Sequence, residues 1–155
     1  MKTIIFNYHE ALCLIPKKIM EPIEKIIAEI NVEIKPKNAP AFRKEFIEKL
    51  YSQGWNEKAG LSYDSRISIT AYNEGVGLCC QTGNVSRIYA DMLKLQTLWV
   101  AGTIMVGIII LPIDSNAKIL GDNMANYERL VRELNIFERV ITMPLLIIGV
   151  NGLEE

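Results

Sequence analysis

Thr70, Cys79 and Gln81 place a hydroxyl, a thiol and an amide nine and two residues apart in a chain of 155 residues. They meet only if the chain between them folds back on itself. Ten residues further on comes Asp91, with Arg87 four positions before it and Lys94 three after. On a helix those spacings put all three on one stripe. That stripe suits a carboxylate working beside a phosphate-contacting lysine. It equally suits a solvated helix face with an ordinary ion pair. Glu45 and Glu48, with Arg43, Lys44 and Lys49 around them, form a second charged group. His9 is the only histidine, so any Cys–His or Ser–His–Asp mechanism has to use it, and no motif surrounds it.

Other chemistries are excluded by what the chain lacks. Three cysteines, Cys13, Cys79 and Cys80, are an odd set. Neighbours on a strand point to opposite faces, so Cys79 and Cys80 do not read as a bridge. A reducing, cytoplasmic setting is expected. A soft-metal site needs more Cys or His than this. No glycine-rich phosphate loop of the mononucleotide or dinucleotide type is present. The net charge of −1 argues against coating nucleic acid by bulk attraction, but a focused basic cleft remains compatible with it. Half the residues are apolar and 23% are charged, which fits one globular domain, 1–155, with a real core.

No membrane partner is expected. The run 97–113 contains Gly102, Gly107 and Pro112 and is shorter than the roughly 20 residues a spanning helix needs. His9 and Glu10 interrupt the N-terminal apolar run, which does not read as a signal peptide.

The elements that must position these groups follow from periodicity. Residues 3–8 read as a strand. Ile23, Ile26, Ile27 and Ile30 predict a helix over 21–31, with Pro22 in its first turn. Phe42, Phe46, Ile47 and Leu50 predict a second over 40–53, with Asn38 as a nearby cap. KPKNAP between them is the expected loop. Residues 66–72 alternate apolar and polar, so they read as a strand. Asn73-Glu74-Gly75 supplies the turn, and 76–81 returns. After a break at 82–84, Ile88, Met92, Leu95 and Trp99 predict a helix over 86–100, capped by Asn84 or Ser86. Residues 104–111 read as a strand buried on both faces. A short helix at 115–120, a helix at 126–134 and a late strand within 141–150 complete the chain. Pro144 suggests that the last strand starts late or lies at an edge.

A hairpin turning on Glu74-Gly75 pairs Tyr72 with Gly77, Thr70 with Cys79 and Ser68 with Gln81. One face then carries Ser68, Thr70, Tyr72, Gly77, Cys79 and Gln81, a small polar platform. The other carries Ile67, Ile69, Ala71, Leu78 and Cys80.

This hairpin, with the following Gln81-Thr-Gly-Asn-Val-Ser-Arg-Ile-Tyr-Ala-Asp-Met-Leu-Lys-Leu-Gln96, resembles the core of the BglII-type restriction endonucleases of the PD-(D/E)XK nuclease superfamily. So do the strand ending Ile110-Leu111-Pro112, the segment Ala125-Asn126-Tyr127-Glu128-Arg129-Leu130 and the strand 144–150. The resemblance implies an α/β, restriction-endonuclease-like core, a central mixed β-sheet flanked by α-helices. It implies Mg²⁺-dependent hydrolysis of double-stranded DNA by a homodimer.

The superfamily places an Asp on the first hairpin strand and an acid on the second; a Gln follows in the BglII type. Carried over by position, Gln81 matches that Gln, Thr70 stands for the Asp and Cys79 for the acid. A hydroxyl and a thiol are poor ligands for a hard cation. Cleavage then calls for substitute acids, for which Asp91 and Glu45 are the candidates, both as catalytic groups and as metal ligands. Arg87, Lys94, Asn84, Arg43 and Lys44 are the expected DNA contacts. Two readings stay open: a restriction-endonuclease-like enzyme on DNA, or a catalytically inactive relative serving as a DNA-binding or protein-interaction module. A cysteine-based redox protein is a distant third.

Overall fold

The computed structural model describes residues 1–57, 60, 61, 64 and 66–152. Its elements run β1 (Lys2–Tyr8), α1 (Ala11–Leu14), α2 (Lys17–Glu29), α3 (Ala39–Ser52), β2 (Asn56–Glu57), β3 (Ala71–Asn73), β4 (Val76–Cys80), α4 (Arg87–Val100), β5 (Val106–Pro112), α5 (Asp114–Leu120), α6 (Tyr127–Leu134) and β6 (Leu145–Asn151). The short α1 and β2 carry too few residues to show a period, and periodicity does not find them. Helix α2 begins before Glu21, so Pro22 lies inside it rather than in its first turn. Asn38 stands at the N-cap of α3, but its side chain donates to the Glu33 carbonyl instead of capping.

Six strands form one mixed sheet in the order β1-β6-β5-β4-β3-β2. The pairs β4–β5 and β5–β6 are parallel, and the other three are antiparallel. The central β5 is buried along its whole length, as its unbroken apolar run requires. Strand β6 starts immediately after Pro144 but lies inside the sheet, so the proline marks a late start rather than an edge. Helices α1, α2 and α3 cover one face, against Leu78, Cys80, Ile108, Ile110 and Ile148. Helices α4 and α6 cover the other, against Cys79, Ile109, Leu111, Leu145 and Ile147. Among the described residues no helix is long and apolar enough to cross a membrane.

The hairpin turns where expected. Glu74 and Gly75 take φ of 43° and 82°, the two left-handed residues that a tight turn between right-twisted strands demands. Asn73 then pairs with Val76, Tyr72 with Gly77 and Ala71 with Leu78. The expected register fails one step later. Residue 70 is outside β3, and Ser68 bridges Gly60 rather than Gln81. The Thr70 hydroxyl accepts the Cys80 backbone N–H at 3.0 Å, while its carbonyl accepts the Tyr51 hydroxyl at 2.9 Å. A side chain has taken a ladder position, and the alternation breaks there. Ile69 therefore packs with Cys79 under α4 instead of sharing a face with Ala71. The predicted polar platform is therefore split: Cys79 is buried under α4, while Ser68 and Thr70 stay half-buried at the edge of the strand pair.

Candidate functional site

The end of β4 opens into a cavity of about 420 Å³, lined by Thr70, Cys80, Gln81, Arg43, Arg87, Asp91 and Lys94 together with Ser68, Ile69 and Ala90. Strand β4 ends at Cys80, and the Gln81 N–H still bonds the Ile110 carbonyl at 2.9 Å, so Gln81 is fixed by the sheet. The chain then turns through 82–86 into α4. Asn126, whose own side chain caps α6 by accepting the Arg129 N–H, sits just after the Asn84–Met124 bridge that holds this turn. From α4, residues 87, 91 and 94 project on one stripe towards the strand end. Arg43 reaches in from α3 and donates through Nε to the Cys80 carbonyl at 3.3 Å.

Asp91 organises the centre. It is 4% exposed. Its Oδ2 accepts from Gln81 Nε2 at 2.6 Å and its Oδ1 from Lys94 Nζ at 3.0 Å. The buried Cys79 thiol lies close enough for the Asp91 charge to act on it. Gln81 is held at its other end as well, since Oε1 accepts the Gly83 N–H at 2.9 Å. A buried charge persists only when it is paired and hydrogen-bonded, and Asp91 meets both conditions.

Neither thiol is an active group. Burial, then the Asp91 charge, holds Cys79 well above the usual thiol range. Burial pushes Cys80 up to about 12, with the Arg43 charge opposing. Both remain protonated at neutral pH, which removes the thiolate that nucleophilic, redox or soft-metal chemistry needs.

The structure brings together Thr70, Gln81, Asp91, Arg43, Arg87 and Lys94. Cys79 lies buried beneath α4, outside the cavity lining. Glu45 does not reach the site; it faces Lys49 across one helical turn at 3.8 Å. Lys44 is likewise on the exposed side of α3, 3.9 Å from Glu48. Asn84 lies outside the cavity, where its Oδ1 accepts both the N–H and the hydroxyl of Ser86 in place of a helix cap. Sequence reasoning misses the inward role of Asp91, although its signal is present. The buried stripe of α4 is Ile88, Asp91, Met92, Leu95 and Leu98, with Leu93 over half exposed. Spacings of three and four from Ile88 and to Leu95 place Asp91 on the core face.

The Mg²⁺ implied by the resemblance does not fit these donors. Mg²⁺ is held octahedrally by one or two carboxylates whose oxygens face it, with waters and substrate phosphates filling the other positions. Here one carboxylate lines the cavity, and its two oxygens already accept from an amide and an ammonium. Among the described residues no three His, Cys, Asp or Glu side chains cluster as a metal site.

Comparison with known proteins bears on this geometry. The family described as restriction endonuclease BglII/BglIII matches residues 4–150. The crystal structure of restriction endonuclease BglII complexed with a DNA 16-mer superposes with a TM-score of 0.88 at 14% identity, covering 100% of this chain and 80% of that one. Free BglII gives a TM-score of 0.77 at 15% identity, covering 100% and 82%. No curated protein matches.

Proposed function

The chain belongs to the BglII/BglIII restriction endonuclease family, and from that premise we propose that it binds double-stranded DNA through the cavity at the end of β4 without cutting it by the family's Mg²⁺ route. One observation carries the reading. Three cations, Arg43, Arg87 and Lys94, surround the cavity, and the single anion among its lining residues is Asp91. Three positive charges against one negative leave the cleft cationic in a protein whose net charge is −1. A concave wall of one sign concentrates its field and attracts a phosphate backbone. Both Asp91 oxygens are committed within the chain, to Gln81 and to Lys94.

Gln81, Thr70, Cys79 and Asp91 then hold the shape of the site, and Arg43, Arg87 and Lys94 contact phosphates. A homodimer is the form suited to palindromic DNA, because a two-fold protein matches a two-fold site. The single domain, 1–155, is taken as the unit that binds.

The runner-up is the family activity, Mg²⁺-dependent hydrolysis, with Asp91 as the substitute acid; the presence of that carboxylate in the cavity is what favours it. Incubating the protein with plasmid in Mg²⁺ and in Mn²⁺, beside salt-titrated binding to duplex DNA, separates the two. Salt-sensitive binding without nicking is the expected result. Nicking that disappears in Asp91→Ala overturns the non-cleaving reading, and the absence of both binding and nicking sinks both.

A further inference from the structure

We infer that the Lys94 ammonium occupies the role of the missing cation, so that this cleft holds a nucleic-acid phosphate with no divalent metal ion. The inference rests on the DNA-binding reading above and specifies how that site works. The side-chain oxygens of Thr70, Gln81 and Asp91 that face this space each already accept a hydrogen bond. The Thr70 hydroxyl takes the Cys80 N–H at 3.0 Å. Gln81 Oε1 takes the Gly83 N–H at 2.9 Å. Asp91 takes Gln81 on one oxygen and Lys94 on the other.

The nitrogen donors, by contrast, have capacity left. An ammonium carries three N–H groups, and Asp91 accepts one from Lys94. Both line the cavity, and the Lys94 side chain is 25% exposed against 6% for Asp91, so Lys94 is the more accessible member of the pair. Arg43 commits Nε to the Cys80 carbonyl, which orients its guanidinium towards the cavity. Among the described residues Arg87 has no ion-pair partner, and it lines the same wall.

Charge makes the same selection. Lys94 cancels Asp91 locally and leaves two guanidinium groups facing the space. A divalent cation entering there meets net positive charge. A phosphodiester meets charge-assisted donors, including the planar forks that suit phosphate oxygens. A metal in such a site would ordinarily compensate the acids and attract the phosphate. Here Lys94, anchored by Asp91, does both from within the chain.

Calorimetric titration of the whole chain with Mn²⁺, without DNA, tests the cation claim alone. No saturable binding through the millimolar range is expected, and a one-to-one site overturns it. Fluorescence anisotropy with a duplex, in EDTA and in Ca²⁺ at matched ionic strength, tests the phosphate claim. Affinity should be equal or lower in Ca²⁺; tighter binding in Ca²⁺ overturns it. Lys94→Gln should weaken binding in EDTA by about tenfold, the factor that 1.4 kcal/mol represents, while Lys94→Arg retains it. An unchanged Lys94→Gln, folded by circular dichroism, also overturns the inference. Wild-type protein that binds no duplex in either condition defeats the DNA reading, and the Mn²⁺ titration then still decides whether a metal site exists.

Discussion

Gln81 Nε2 donates to Asp91 Oδ2 across 2.6 Å, and both residues are buried. This bond ties the end of β4 to the middle of α4. It is the junction on which the cavity depends.

Removing the carboxylate should therefore be costly. Asp91→Ala leaves the Gln81 amide and the Lys94 ammonium without their shared acceptor. Breaking a buried pair from one side typically costs about 3 kcal/mol or more. Asp91→Asn keeps an acceptor and should lose less. Urea denaturation of the two variants measures the difference. Equal, near-wild-type midpoints would show that the junction is dispensable.

How much of this is legible in the sequence depends on how local each signal is. Strand β5 and helix α4 are clear because 106–112 is unbroken apolar chain and Ile88, Met92 and Leu95 keep a helical period. The Glu74-Gly75 turn is clear because few sequences supply two left-handed residues in a row. Thr70 is misplaced for the opposite reason. Its alternating neighbours predict a continuous strand, yet the Tyr51 and Cys80 hydrogen bonds that interrupt it come from α3 and β4. No window around residue 70 contains them. Asp91 reads as a surface charge by its type, whereas its position relative to Ile88 and Leu95 puts it inward. Glu45 is an acid of the right type on a half-buried part of α3 that turns away from the cavity, and nothing in the sequence distinguishes it from Asp91 except that spacing.

The buried thiols predict alkaline sensitivity. Cys80 has its folded value raised to about 12 from an ordinary 9.0, chiefly by burial, and Cys79 is raised in the same direction. Between the unfolded and folded values the unfolded chain has released protons that the native state retains. Stability is therefore complete below pH 9 and falls as pH rises towards 12. The slope is about 1.4 kcal/mol per pH unit for each thiol. Denaturation midpoints of wild type and Cys80→Ala across that range should converge as the pH rises. A wild-type curve parallel to that of the variant would contradict the assignment. At neutral pH a thiol reagent should label the exposed Cys13 quickly and the other two only on unfolding.

A carboxylate can be added at the cavity. Thr70→Asp would put a second acid among the lining residues with Asp91, where like charges repel without a cation between them. The variant should be less stable than wild type in EDTA and should regain stability in Mn²⁺ by mass action. Wild type, with one internally neutralised acid, should show no such dependence. Differential scanning fluorimetry with and without metal reads both effects. A wild-type melting temperature that rises with Mn²⁺ would mean that the present donor set already holds the ion.

The guanidinium groups should account for the salt dependence of DNA binding. Arg43 and Arg87 reach the cavity from different helices, α3 and α4, so each can engage its own phosphate. Each phosphate neutralised releases condensed counterions and adds about 0.9 to the steepness of log affinity against log salt. Arg43→Ala and Arg87→Ala should each remove about one such unit, and the double variant about two. Lys44→Ala, on the exposed side of α3 opposite Glu48, should change the slope little. The comparison is internal, because Arg43 and Lys44 are adjacent in sequence and differ in whether they line the cavity. If Lys44→Ala lowers the slope as much as Arg43→Ala does, bulk helix charge rather than the cavity binds the DNA.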